Sequence, residues 1–280
     1  MSLRALALDW RIELSTAALL VQLAAVAILY LAAVARGNRR DRRGRRWHKR
    51  YTICFLAGLV AAAIDLCSGI GTEADEWLSA HMLEHMMLWV IVAPLLVAGA
   101  PMRLALFALS RPGRRRLVRC LQSRAVSVLT SPVGSVSLFS VILITHIPAV
   151  YGLALTNELL HETEHGLYLL TALLVWGPLI GADPLPHRPS GRVQCACMFA
   201  CMIPMMLIAL WLISASDPRY GRYVDGPASM ALHDQRLAAA IMWAGGIPAF
   251  AIPALARVRL PSIDHQQPGP HHAQAQASRT

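Results

Sequence analysis

The chain of 280 residues is 56% hydrophobic and 15% charged, with a mean hydropathy of +0.47. An average soluble domain is about 25% charged, so an ordinary water-soluble protein is excluded, as is intrinsic disorder, which requires low hydrophobicity. The net charge of +10 sits in segments between apolar runs, the pattern of a polytopic membrane protein rather than a nucleic-acid binder.

A bilayer core about 30 Å thick needs about 20 apolar residues in a helix rising 1.5 Å per residue. Seven such runs follow in chain order, at 14–35, 52–71, 79–100, 126–147, 162–182, 193–213 and 233–255. In lipid a continuous run of this length is a helix, which satisfies its own backbone hydrogen bonds. The expected fold class is all-α, a polytopic membrane protein whose bundle of seven transmembrane helices forms one domain over 1–255. The leader MSLRALALDWRIE has a weak charged region and carries Asp9 and Glu13, so the first helix is expected to be retained rather than cleaved as a signal.

The segment between the first and second runs, Arg36 to Arg50, holds nine Lys and Arg, and the segment from Pro101 to Arg124 holds seven. With the 183–192 loop and the tail, one side collects 21 of the 26 basic residues. Lys and Arg near span ends stay cytoplasmic, which places the N-terminus outside and the C-terminus in the cytoplasm. Pro94, Pro132, Pro178, Pro204 and Pro248 lie inside the runs, where proline removes a backbone bond, so bent helices are expected. The polar tail, 256–280, reads as a disordered cytoplasmic segment, and His265, His271 and His272 within it as solvated.

The remaining histidines have a common depth. His81 and His85 open the third run, His146 closes the fourth, His161 and His165 open the fifth and His233 opens the seventh. All six therefore fall on the outer side, whereas His48 and His187 fall in cytoplasmic loops. Residues four apart share a helix face, so the two His-x-x-Glu-His runs, HMLEH at 81–85 and HETEH at 161–165, can each aim two imidazoles at one point. Neutral imidazole is the commonest metal ligand, and the six histidines are the candidate metal ligands. An accessible outer mouth is expected.

Met82, Met86 and Met87 adjoin the first pair and Met230 precedes His233. Thioether with imidazole suits copper, whereas zinc prefers imidazole with Cys or carboxylate, so copper is the expected metal ahead of zinc. Asp234 reads either as a partner orienting an imidazole or as a helix-start acid. Cys195, Cys197, Cys201, Met198, Met202, Met205 and Met206 in the sixth run read as helix packing or as soft ligands passing Cu(I) outward. Cys54, Cys67 and Cys120 have no partners in sequence, so no disulfide framework is indicated. Asp65 should face the bundle rather than lipid.

Four blocks in order, SAHMLEHMMLWVIVAPLLVAGAP (Ser79 to Pro101), THIPAVYGLAL (Thr145 to Leu155), LLHETEHGLYLLTALLVWGPLI (Leu159 to Ile180) and DQRLAAAIMWAGG (Asp234 to Gly246), resemble the CtaG family of cytochrome c oxidase assembly factors, caa3-type. The resemblance covers about residues 50 to 250. It implies a bacterial inner-membrane protein of seven helices that serves the copper centres of a haem-copper oxidase. It carries the family's histidine pairs onto His81/His85 and His161/His165, its His-x-Pro block onto His146 and Pro148, and its Asp-Gln block onto Asp234 and Gln235. His233 is not part of that pattern. Two departures stand out. The family's Ala-Pro-Pro stretch is Ala93-Pro94-Leu95, and its acid after the Tyr of the fourth-helix exit is Gly152, which puts a ligand role for that loop in doubt.

The expected function is thus an assembly factor, not an enzyme, that binds copper at the periplasmic face and delivers it to a cytochrome c oxidase subunit, with another copper chaperone as a possible donor. Two alternatives stay open. His-x-x-Glu-His matches the order of a zinc-hydrolase motif with a glutamate base, and histidines on facing helices could hold a haem.

Overall fold

Helices cover all seven apolar runs in a computed structural model that describes residues 14–40, 46–68, 73–74, 76–184, 189–223 and 227–259. Among these residues there is no strand. Helix α1 is Leu14–Arg40 and α2 is Lys49–Cys67. The third run is α3 (Leu78–Met87), a π-helical turn (Leu88–Val92) and α4 (Ala93–Ala98). Shorter helices follow: α5 (Pro101–Ala108), α6 (Arg111–Leu121), α7 (Arg124–Leu129), α8 (Pro132–Phe139), α9 (Ile142–Thr145) and α10 (Pro148–Thr156). Long helices then return as α11 (Glu158–Ile180), α12 (Gly191–Ile213) and, after a 3-10 turn at Gly221–Tyr223, α13 (Ala228–Arg259).

Four of these runs are long and apolar enough to cross a membrane, Thr16–Arg40, Lys49–Cys67, Leu78–Ala108 and Gly191–Ile213. A fifth is counted if Pro132–Thr145 and Pro148–Thr156, bent by 81° at His146, form one span. Helices α11 and α13 lie over the other two expected runs without adding to that set, and α11 carries Glu158, Glu162 and Glu164 in its first two turns. The expected tail begins four residues too early, because α13 runs to Arg259. The rest of the tail with its three histidines, the leader before residue 14, His187 and residues 69–72 at the end of the second run lie outside the described residues.

The fourth run departs from a single helix for local reasons. Ser131 caps α8 by accepting from the Gly134 N–H at 3.0 Å, and Pro132 follows it without an N–H of its own, which stops α7 and restarts the chain. Pro148 does the same after His146. Pro178 and Pro204, in contrast, remain inside continuous α11 and α12. In the π turn the Trp89 carbonyl accepts from the Trp176 indole at 2.8 Å, a bond that apolar surroundings favour.

The main core joins α3, the π turn, α8, α11, α12 and α13, with Trp89 edge-on to Phe139 at 4.1 Å. A smaller cluster sits towards the other end of α2, where Tyr30 stacks on Phe55 at 4.0 Å and donates to the Gly99 carbonyl at 2.8 Å. Gly99 permits that approach, since a Cβ there would lie 2.6 Å from the Phe55 Cβ.

Candidate metal centre

The first turn of α3 is held from across the bundle. Asp234 on α13 accepts from the Ser79 backbone N–H at 3.3 Å and from the Ser79 hydroxyl. The adjacent Gln235 accepts from the Arg219 N–H at 2.7 Å and donates to the Leu212 carbonyl at 3.0 Å. These two side chains fix where α3 begins relative to α12 and α13, and His81 follows Ser79 by two residues. Asp234 thus anchors a helix start rather than an imidazole.

Helix α11 is started by Asn157, whose side chain accepts from the Leu160 N–H at 3.1 Å. It presents its histidine pair to that of α3. The ring centroids of His81 and His85 are 4.4 Å apart, those of His161 and His165 also 4.4 Å, and across the helices His81 lies 5.3 Å from His161 and His85 lies 5.0 Å from His165. The four imidazoles therefore form one cluster, each pair on one helix face. Glu84 is buried beside them, with Oε2 3.5 Å from His165 Nε2. Ligand atoms of His81, Glu84 and His161 all lie within 4.8 Å of one another.

His146 approaches the same group from the bend between α9 and α10. Its Nδ1 is placed to donate to the Ile142 carbonyl at 2.9 Å, which leaves Nε2 as the lone-pair nitrogen. Its own carbonyl accepts from the Tyr220 hydroxyl at 3.0 Å. Neither ring nitrogen of His81 or His85, nor Nε2 of His146, has a hydrogen-bond partner, although all are buried. Orphaned buried polar atoms cost roughly 1–3 kcal/mol each, and such a concentration fits residues whose lone pairs serve a cation.

His233 does not join them. It is exposed on α13, while its neighbours Asp234 and Gln235 turn inward. Met230 is likewise exposed, and Met82 and Met86 are buried. Asp65, expected to face the bundle, is fully buried with neither carboxyl oxygen hydrogen-bonded. All six cysteines are free thiols.

The site is also more enclosed than expected. His81, His85, His146 and His165 are buried, and only His161 is partly exposed. Tyrosines supply the cover. Tyr151 on α10 lies 5.3 Å ring to ring from His81, its hydroxyl is 3.1 Å from that of Tyr223, and Tyr223 donates to the Ala74 carbonyl at 3.3 Å. Tyr220 packs on Tyr151 at 4.3 Å, and burial, with Tyr223 and Glu164 adding to it, pushes its hydroxyl above the ordinary tyrosine range. Below the histidines, Tyr168 donates to Glu164 at 2.9 Å and pairs with the Thr145 hydroxyl. Sequence reading singled out none of these tyrosines. The only signal was their spacing, with Tyr168 one turn after Glu164 and Tyr220 and Tyr223 in a polar connection.

Two curated relatives set the chain in context. It is 29% identical over 228 residues to the uncharacterized protein ML1998 of Mycobacterium leprae, covering 77% of this chain and 35% of the relative. It is 29% identical over 214 residues to the uncharacterized protein Mb0105 of Mycobacterium bovis, covering 72% and 32%. The chain spans about a third of the length of the curated relatives it matches. No solved structure matches it. The model of the cytochrome c oxidase caa3 assembly factor family, Caa3_CtaG, matches residues 28–259, so the chain belongs to that family.

Proposed function

We propose that this assembly factor is a seven-span protein of the bacterial inner membrane, N-terminus outside and C-terminus cytoplasmic, that binds copper at its periplasmic end and hands it to a cytochrome c oxidase subunit. The observation that carries the reading is the convergence of His81, His85, His161 and His165, with His146 behind them, in a buried site whose ring nitrogens include orphans. Copper is cargo here. The imidazoles hold it, Glu84 supplies negative charge next to it, and the tyrosine cover keeps water and competing ligands away until a recipient docks. The role needs no turnover at a substrate bond. Five histidines form the proposed ligand set, and His233 is left out because it is exposed and apart.

Metal content of detergent-purified protein after loading with Cu(I) or Zn(II), for wild type and His81→Ala/His85→Ala, tests this. Less copper retained by a folded double variant than by wild type is the expected result. A variant that still delivers copper to the oxidase would overturn the role of the site. Retention of zinc alone would favour hydrolysis, for which the His81, Glu84 and His161 set has the right ligand types. Haem has little room. The cavity beside His85 and His146 is about 10 Å³, about the space of one water.

A further inference from the structure

Directly beneath the histidine–carboxylate group lies a chemically different compartment. Met82 and Met86 on α3, Met205 on α12 and Met242 on α13 line one small cavity together with the rings of His85 and His146. All six side chains are buried. The four sulfurs come from three helices, and the two imidazoles from two segments, α3 and the α9–α10 bend. Helix α13 makes space for the thioethers by having no side chain there. A Cβ on Gly245 would lie 3.0 Å from the Met86 methyl, and one on Gly246 would lie 2.9 Å from the Met205 methyl and 3.4 Å from its sulfur.

We propose that this cavity is a separate site for a soft monovalent cation, Cu(I), held by thioether sulfur from Met82, Met86, Met205 and Met242 and by nitrogen from His146 or His85. Three features argue for it over ordinary apolar packing. The cavity, about 10 Å³, is of the size of one small ion or water. Two of its lining residues carry buried nitrogens without hydrogen-bond partners, His146 at Nε2 and His85 at both ring nitrogens. Its other lining residues are uncharged, four thioethers with Trp89, Ile142 and Tyr168, and no carboxylate is among them.

The last feature sets the charge and class of the ion. A cation in a low-dielectric interior suffers a desolvation cost that rises steeply with charge. Neutral ligands leave a monovalent ion with one uncompensated charge and a divalent ion with two. Thioether and imidazole favour Cu(I) among physiological metals, while zinc favours imidazole with carboxylate or thiolate. The upper group, with Glu84, suits a divalent or harder ion, and the lower one suits the reduced metal. The two share His85 and His146, but the thioethers belong to the lower site alone and His81, Glu84 and His161 to the upper one alone, so either can fail while the other stands.

Full-length protein in detergent, loaded anaerobically with Cu(I) or with Ag(I) as a redox-inert probe, and separately with Zn(II), tests the assignment by X-ray absorption and by competition with a Cu(I) chelator. Wild type is expected to show sulfur scattering around bound Cu(I). Met205→Leu/Met242→Leu keeps side-chain volume and is expected to lose that scattering while Zn(II) uptake stays. Outer-shell partners alone are worth about 10–100-fold in metal affinity, so losing two ligands should weaken Cu(I) binding by at least about tenfold. His81→Ala/His161→Ala should lose Zn(II) and keep sulfur-bound Cu(I).

Selenomethionine-labelled protein has unaltered side-chain shapes, and Cu(I) bound to it should show selenium scattering whether or not the leucine variant folds. Cu(I) bound through nitrogen and oxygen alone, absence of the selenium signal, or absence of Cu(I) uptake with Zn(II) uptake intact would overturn the inference. The last of these would leave the upper histidine group as a metal site. Sulfur-bound Cu(I) in a protein that fails to deliver copper to the oxidase would uphold the inference and remove the proposed delivery role.

Discussion

Asp234→Ala removes the acceptor that holds the first turn of α3 to α13. Two donors of Ser79, its backbone N–H at 3.3 Å and its hydroxyl, then lose their partner in a region where Ser79 is 2% exposed. An orphaned buried donor costs roughly 1–3 kcal/mol, and partial relaxation brings the pair to about 2–4 kcal/mol. At about 2–3 °C per kcal/mol for a chain of 280 residues, the midpoint of thermal unfolding in detergent should fall by roughly 4–12 °C. Ser79→Ala alone deletes one of the two bonds and should cost about 1–2 kcal/mol. In the double variant only the N–H is orphaned, so the two effects should fall short of additive by about 1 kcal/mol, within the range measured for contacting residues. Metal retention should fall in parallel, because His81 is two residues from the loosened turn. Fully additive shifts, or an Asp234→Ala protein that melts and binds metal as wild type does, would refute the view that this contact positions the site.

Three further outcomes follow from the geometry. His233→Ala should leave metal content unchanged by elemental analysis, and a loss matching that of His81→Ala/His85→Ala would reinstate it as a ligand. Gly99→Ala should destabilise by about 1–3 kcal/mol, the usual cost of overpacking, because the new methyl meets Phe55, whereas Gly152→Ala, with nothing within 4 Å, should be tolerated; equal unfolding midpoints would disprove the close approach. Asp183, in the loop before α12, is held above the ordinary carboxylate range by burial, against the lowering effect of the Arg103 and Met102 N–H groups and the Arg103 charge. Its stabilising effect is full below its unfolded pKa of about 3.9 and is lost as pH rises through the higher folded value. Asp183→Asn should therefore melt higher than wild type at neutral pH and lose that advantage near the unfolded pKa, and an equal gain at both pH values would be the contrary result.

Sequence reasoning reached the histidine pairs because one helix period decides whether residues 81 and 85, or 161 and 165, share a face. It could not decide between His233 and Asp234. Successive residues point about 100° apart on a helix, and only the packing of α3 against α13 turns Asp234 inward and His233 outward. The broken fourth span was partly visible in Pro132 and Pro148, yet the 81° turn also depends on the Tyr220 hydroxyl accommodating the His146 carbonyl from a distant loop. Met205 reads from sequence as part of the soft Cys/Met cluster of the sixth run, whereas Met242 sits in a run that reads as plain lipid-compatible helix. Their meeting with Met82 and Met86 is a property of three helices together, and no window along one of them contains it. Charge asymmetry of the loops remains the basis for orientation, since the helices themselves look alike from either end.

Under the proposed delivery role, the tyrosine cover limits who can receive copper. Tyr151 to Tyr223, Tyr223 to Ala74 and Tyr220 to His146 are three hydrogen bonds that must part for the histidines to open on that side. At a net of about 1 kcal/mol each, the open form lies about 3 kcal/mol above the closed one and makes up about 1% or less of the molecules at any instant. A recipient that fits only the open form binds about 100-fold more weakly than its contacts alone would give, unless some of those contacts themselves hold the tyrosines apart. Fidelity then resides in a population. On the proposed role, passing thiols and chelators would meet that side closed nearly all of the time, and only a partner able to stabilise the rare arrangement would draw the metal out through it.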